Sequence, residues 1–190
     1  LLINFFLVFS IFVFLTFSVI GYGKTIIKLT GSKDQFIINY KSIFLLQGLI
    51  FSGLVATILS LFISISDNIV FIFLILGIIA YLINGIHSNF ELKEIKTLFF
   101  LSFFSSIVAF YSLNNDDFHI HIRSISTFKN IGTLPGMVDL LLEGNRVAYN
   151  SHWLIINAIL SFKNIPQSIY FLNSILYSFI LFDFYKKFKK

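Results

Sequence analysis

The chain has 190 residues, of which 57% are hydrophobic and only 12% charged. Since a soluble domain carries about 25% charged residues, this composition excludes a water-exposed surface of ordinary size, and lipid must cover most of the outside. The net charge of +5 comes without a basic stripe of interleaved aromatic residues, which argues against nucleic-acid binding, and the lack of cysteine excludes disulfides and thiolate metal sites.

The apolar segments predict an all-α fold, a polytopic bundle of transmembrane helices with about five full spans. A helix needs about 20 apolar residues to cross the hydrocarbon core of a bilayer. The predicted spans, in chain order, are 1–22, 42–65, 69–86, 98–113 and 169–185. Segment 153–162 is apolar but has only ten residues. It is therefore predicted to form a short interfacial or re-entrant helix.

This pattern divides the chain into three parts. Residues 1–113 hold four transmembrane helices, 114–152 form a loop with the candidate site, and 153–190 hold the short helix, the fifth span and a basic cytoplasmic tail. Because the chain begins inside one apolar run and stops soon after another, we interpret it as a fragment of a longer protein.

Lysine and arginine predict the orientation, since cytoplasmic loops of membrane proteins carry more of both. Loops 21–41 and 87–96 and the tail together carry ten of these residues, and the other side carries four, namely Arg123, Lys129, Arg146 and Lys163. Loop 114–152 is therefore predicted to be extracytoplasmic, in a bacterial inner (cytoplasmic) membrane, provided that 153–162 does not cross. Lys129 is interpreted here as a loop charge without a role.

An amphipathic helix is predicted at the start of this loop. Its apolar positions, Phe118, Ile122, Ile125 and Phe128, have helical spacing. Because this segment directly follows a span, the helix is expected to lie along the membrane surface.

Four titratable residues stand at the start of that helix: Asp116, Asp117, His119 and His121. A carboxylate beside imidazole donors could act as a general base on a substrate at the interface. The same residues could instead form a solvated helix start with acids favoured by the helix dipole. Two Asp and two His could also bind a divalent metal, although their spacing fits no closed zinc pattern.

A second polar cluster lies near the end of the loop. Arg146 suits a lipid phosphate, because a guanidinium binds phosphate through two parallel hydrogen bonds. Asn150 or Ser151 can cap the short helix, and Trp153 stands where an interfacial anchor belongs.

The stretch 114–154 resembles a segment of a family of bacterial polytopic membrane proteins that is similar in turn to GT-C glycosyltransferases. The shared pattern is an Asp soon after a span, a His, a Gly-x-x-Pro-Gly turn, an Arg, and then Phe/Tyr-Asn-Ser-x-Trp. Ile120 departs from this pattern, since an aromatic residue usually precedes the His, and the stretch between Gly136 and Arg146 is a few residues longer than usual. The matching residues are Asp116, His121, Gly132, Pro135, Gly136, Arg146, Tyr149, Asn150, Ser151 and Trp153.

The resemblance implies an enzyme that transfers a sugar from a polyprenyl-phosphate donor to a glycan or lipid acceptor of the cell envelope. It implies Asp116, with Asp117 as alternate, as catalytic base or metal ligand. The expected substrate-binding residues are His119, His121, Arg146, Tyr149 and Asn150. Two other functions stay open. A transporter or flippase of lipid-linked sugars would place charges inside the spans, and a non-catalytic assembly subunit would tolerate loss of Asp116 and Asp117.

Overall fold

The computed structural model describes residues 2–31, 41–87, 92–111, 121–130 and 152–188. Regular structure in these ranges is helical, apart from an isolated bridge between Phe162 and Ile165. A 3₁₀ helix, Pro166–Tyr170, precedes the last helix. In chain order the α-helices are α1 (Leu2–Leu29), α2 (Lys41–Phe62), α3 (Asp67–His87), α4 (Leu92–Tyr111), α5 (His121–Asn130), α6 (His152–Ile159) and α7 (Phe171–Phe188).

Four helical segments are long and apolar enough to cross a membrane, so the chain is a multi-pass membrane protein of all-helical class. These segments are Asn4–Leu29, Ser42–Phe62, Asp67–Asn84 and Pro166–Phe188. They coincide with four of the five predicted spans. The remaining one, 98–113, falls on α4, which is not among the four. A count of five spans therefore stays a prediction.

Helix α1 lies at the centre of the bundle and packs against α2, α3 and α4. Glycine allows the close contacts: a Cβ added at Gly48 of α2 would lie 1.9 Å from the Val19 carbonyl oxygen of α1. A Cβ at Gly77 of α3 would lie 2.0 Å from the Ser18 hydroxyl oxygen. Small residues at such crossings let helix backbones approach closely in a membrane, where lipid is as apolar as the side chains.

Buried hydroxyl groups join the central helices. The Ser102 hydroxyl oxygen of α4 lies 3.0 Å from Thr16 Oγ1 of α1, and the Ser105 hydroxyl oxygen lies 2.8 Å from Ser178 Oγ of α7. Each of these hydroxyls also bonds a carbonyl one turn earlier in its own helix. The hydroxyl groups are thus satisfied at little cost away from water.

Contacts between helices define two ends of the bundle. The Phe5 ring of α1 meets the Phe103 ring of α4 at 5.8 Å, and Lys24 near the other end of α1 meets Glu94. Helices α1 and α4 are therefore antiparallel. We call the end with Lys24 and the start of α4 the basic end. The opposite end, with residues 63–66, α5 and residues 160–166, is called the loop end.

Candidate functional site

Most of the predicted site residues lie outside the described part of the chain. These are Asp116, Asp117, His119, Arg146, Tyr149 and Asn150. His121 is the first residue of α5, although its side chain is not among those described. The structure describes the helices that adjoin these residues in the chain, namely α4, α5 and α6.

Helix α5 begins at His121, within the helix predicted from Phe118 onwards. Ile125 and Phe128 are buried, whereas Ser126 and Asn130 are exposed. These side chains follow the predicted apolar spacing, and the orientation of the helix along a membrane surface stays a prediction. Because Ile125 and Phe128 are buried inside the protein, this face of α5 is covered by protein rather than by lipid.

The interpretation of Lys129 as a loop charge without a role is wrong. Lys129 lies on α5, and only 3% of its side chain is exposed. Its ammonium group lies 2.8 Å from Asp67 Oδ1 at the start of α3. It also donates to the carbonyl oxygens of Ser161 and, at 3.4 Å, of Ala158. A lysine ammonium has three donor hydrogens, and these three acceptors can take all of them.

Burial and ion pairing act in opposite directions on the pKa of Lys129. Burial disfavours the charged ammonium and lowers the pKa below 10.5, while the Asp67 carboxylate raises it and Lys163 lowers it again. The burial effect is the largest, so the net direction is downward. The ion pair with Asp67 offsets part of the free-energy cost of burying the charged ammonium group.

Further hydrogen bonds surround this ion pair. The Lys163 backbone N–H donates to the Asp67 carboxylate at 3.1 and 3.3 Å, and the Lys163 ammonium donates to Asn130 Oδ1. The Ile65 N–H donates to the Phe128 carbonyl at 3.0 Å. We call Asp67, Lys129, Asn130 and Lys163 the loop-end cluster. It ties α5 both to the α2–α3 turn and to the segment after α6.

Helix α6 corresponds to the predicted short helix 153–162 and ends at Ile159. Ile156 packs against α2, where its Cδ1 would lie 3.0 Å from a Cβ added at Gly53. Leu154 and Ala158 are buried, and Trp153 is partly exposed. Lys163 then returns beside Asp67 at the loop end. The predicted return of this segment to the side from which it entered depends on residues before His152 and stays a prediction.

We infer a structural role for the loop-end cluster, which holds α5 against the neighbouring segments. Its ammonium groups are occupied by carbonyl, carboxylate and amide oxygens of the protein itself. Within the described ranges, no group of three His, Asp or Glu side chains could hold a metal ion.

A signal for the buried lysine was present in the sequence. Ile125, Phe128 and Lys129 stand at positions i, i+3 and i+4, so they share one helix face. A lysine on the apolar face of a short helix becomes buried where that face packs, so its ammonium group needs an acceptor there. Asp67, in the tight turn between two predicted spans, had the right charge for this.

A family model described as a domain of unknown function (DUF8201) matches residues 5–190. No curated protein and no solved structure matches the chain.

Proposed function

Because that match covers nearly the whole chain, the protein belongs to the DUF8201 family, which is described as a domain of unknown function, and from the sequence resemblance of residues 114–154 we propose that it is a membrane-embedded glycosyltransferase-like protein. In this proposal a sugar passes from a polyprenyl-phosphate donor to a glycan or lipid acceptor of the cell envelope. The reaction takes place at the loop end, on the extracytoplasmic face of a bacterial inner membrane. The five-span topology and the surface position of α5 are part of the proposal.

The observation that carries the proposal is the attachment of α5. Asp116 and Asp117 lie only a few residues before His121, the first residue of α5. The other end of α5 is held by the buried Lys129 and by the Phe128 carbonyl. A carboxylate must be held in a fixed position to act as a base, and a nearby helix with buried contacts supports such a role.

The chemistry follows from the charges that develop during transfer. The acceptor hydroxyl loses a proton as its oxygen attacks the anomeric carbon, and the carboxylate of Asp116, or of Asp117, takes that proton. The lipid phosphate leaves with negative charge, which Arg146 and the imidazoles of His119 and His121 stabilise. Tyr149 and Asn150 contact the substrate. A divalent metal held by the two aspartates is compatible with this scheme.

A transporter of lipid-linked sugars is the second candidate, and one observation favours it. Both carboxylate oxygens of Asp183 are buried without a hydrogen-bond partner in the described part of the chain, near the C-terminal end of the last span. An ionisable residue at such a place often marks a substrate or ion pathway. Asp183→Asn therefore separates the two candidates, since it abolishes transport but leaves sugar transfer at the loop end unchanged.

Asp116→Asn tests the transferase, because it keeps the size of the side chain and removes the base. In cells that lack the native gene, we expect this variant to lower cell-envelope glycan modification by about 10²–10⁴-fold at normal expression. Asp117→Asn is expected to be milder. Arg146→Lys is expected to impair transfer as well, because an ammonium cannot form the guanidinium fork on a phosphate.

Lys28→Gln is the matched control, since Lys28 is exposed at the basic end, far from α5. Lys129→Gln does not serve as a control because the lysine is buried. Full activity of both aspartate variants would overturn the proposal and leave the loop as a solvated surface segment.

A further inference from the structure

A groove of about 520 Å³ opens at the basic end between the start of α4 and the end of α7. Its lining residues are Leu92, Lys93, Lys96, Thr97, Phe100 and Phe182. Apart from two lysines and one threonine, this lining is apolar. The groove lies at the opposite end of the bundle from the loop-end cluster, so it is separate from the proposed transferase site.

The two lysines of the groove are not neutralised within the described part of the chain. Lys93 and Lys96 are exposed, and neither ammonium group forms an ion pair or hydrogen bond with a described residue. The neighbouring carboxylate of Glu94 is taken by Lys24, at 2.6 Å. Because Lys93 and Lys96 are three residues apart on a helix, their side chains share a face and can approach one anion together.

A third cation stands at the rim of the groove. The Lys186 ammonium lies 4.6 Å from the centroid of the Phe182 ring, which lines the other wall. This contact holds the ammonium next to an apolar surface rather than in open water. The groove therefore combines an apolar floor with positive charge from both of its helices.

Along α4, the lining of the groove changes from charged residues near the basic end to an apolar residue further along the helix. Phe100 lies four residues after Lys96, about 6 Å further from the basic end along the helix axis. Phe100 is 61% exposed, although α4 packs against α1 and α7. A ligand that fits both positions has a negative group near the lysines and a hydrocarbon chain beside Phe100 and Phe182.

We propose that this groove binds an anionic phospholipid, with Lys93 and Lys96 on the headgroup phosphate and an acyl chain along Phe100 and Phe182. Basic pockets between transmembrane helices at the membrane–water boundary suit such headgroups. A second copy of the chain fits less well. It would cover two ammonium groups that have no partner among the described residues, and burial of unpaired charge is costly. The proposal rests on the five-span topology of the proposed function, which puts α4 in the membrane, but not on the transferase activity.

Native mass spectrometry of the purified chain in detergent tests the proposal. The probes are palmitoyl-oleoyl phosphatidylglycerol and phosphatidylcholine, which carry the same acyl chains but differ in net charge. We expect bound phosphatidylglycerol and little phosphatidylcholine, with affinity that falls as salt is raised. The double variant Lys93→Gln/Lys96→Gln is expected to weaken phosphatidylglycerol binding about tenfold or more, since each lysine near an anionic surface contributes separately.

Lys28→Gln is the matched control, because it removes one exposed charge at the same end of the molecule but outside the groove. It is expected to leave lipid binding unchanged. Phe100→Ala is a second variant that keeps both lysines, and it is expected to weaken binding through loss of the acyl-chain contact. Circular dichroism of each variant checks that its helix content is unaltered.

Three results would overturn the proposal. The first is equal binding of the two lipids by the native chain. The second is an unchanged phosphatidylglycerol affinity of the double lysine variant. The third is a dimer that dissociates in the double lysine variant while lipid binding persists, because a second copy would then be the occupant of the groove.

Discussion

The two ends of the bundle each hold a lysine–carboxylate pair, and the pairs differ in their exposure to water. At the basic end, Lys24 and Glu94 are 2.6 Å apart, and their side chains are 15% and 23% exposed. Tyr81 supports that pair through its hydroxyl and its ring. At the loop end, Asp67 is partly exposed, but Lys129 is almost fully buried.

The difference lies in what each pair joins. Lys24 and Glu94 connect α1 and α4, which pack along much of their length in any case. Lys129 belongs to α5, a ten-residue helix that depends on this pair, two buried apolar side chains and a few hydrogen bonds to stay in place. A buried ion pair is seldom a net source of stability, but the loss of one partner leaves an uncompensated charge. The loop-end pair should therefore be the more sensitive one.

The proposed orientation puts the loop end and the basic end on opposite sides of the membrane, and the largest effect is expected in a test of this placement. Cysteine labelling tests it directly, since the chain has no native cysteine. Cysteines placed at the exposed positions Ser126 and Asn164 are expected to react with an impermeant maleimide in intact cells, and one at Thr30 is expected not to react. Equal labelling of Ser126→Cys and Thr30→Cys, or the reverse pattern, would contradict the proposed orientation.

The next largest effect is expected from Asp67→Ala, which leaves the buried Lys129 without its carboxylate. We expect a loss of about 3 kcal/mol in the free energy of unfolding, as for other buried pairs that lose one partner. Trp153 is a useful probe, because it is the single tryptophan of the chain and lies on α6, which packs against α5. Its fluorescence during SDS unfolding in mixed micelles gives the measurement.

A double variant makes this experiment specific. Asp67→Ala/Lys129→Met removes both charges and keeps an apolar chain of similar length in the buried position. Replacement of a buried pair by apolar residues is often neutral, so the double variant is expected to recover most of the stability. If it is as unstable as Asp67→Ala, the ion pair is not the cause of the loss.

The lengths of the apolar segments predicted most of the fold, because each length can be read from consecutive residues without knowledge of long-range contacts. Segments 1–22, 42–65, 69–86 and 169–185 each carry enough apolar residues to span, and the structure has candidate spans at all four places. The boundaries moved by several residues, since α1 continues past Tyr22 to Leu29 with Lys24 turned towards Glu94. A polar residue inside a helix does not end it when a neighbouring helix supplies a partner.

The loop-end cluster was harder to predict because it depends on long-range contacts. Asp67 and Lys129 are 62 positions apart in sequence, and nothing local pairs them. The helical register of Lys129 with Ile125 and Phe128 indicated burial but could not name the acceptor. The roles predicted for residues from Asp116 to Asn150 stay predictions, since His121, at the start of α5, is the one among them whose backbone the structure describes.

A smaller effect is expected from pH. Burial lowers the pKa of Lys129 below 10.5 in the folded chain. Between that lowered pKa and 10.5, the unfolded chain binds more protons than the folded chain, so the free energy of unfolding rises with pH in this window. Lys129→Met removes this contribution. Unfolding midpoints of both proteins at a series of alkaline pH values give the measurement, and identical pH profiles would contradict the burial of a titrating lysine.

The smallest effect is expected from Glu94→Gln at the basic end. Glutamine keeps an acceptor oxygen for the Lys24 ammonium and the Tyr81 hydroxyl, so only the charge is lost. Because both side chains keep partial access to water, the loss is expected to be about 1 kcal/mol, at the upper end of the range for exposed pairs, and the same SDS unfolding assay measures it. Asp67→Asn is the matched variant at the loop end, since it also replaces a carboxylate by an amide. We expect it to cost more than Glu94→Gln, because an amide oxygen cannot compensate the charge of a lysine that is 3% exposed. If the two amide variants lose equal stability, burial of the lysine does not distinguish the two ends, and the holding role assigned to the loop-end cluster fails.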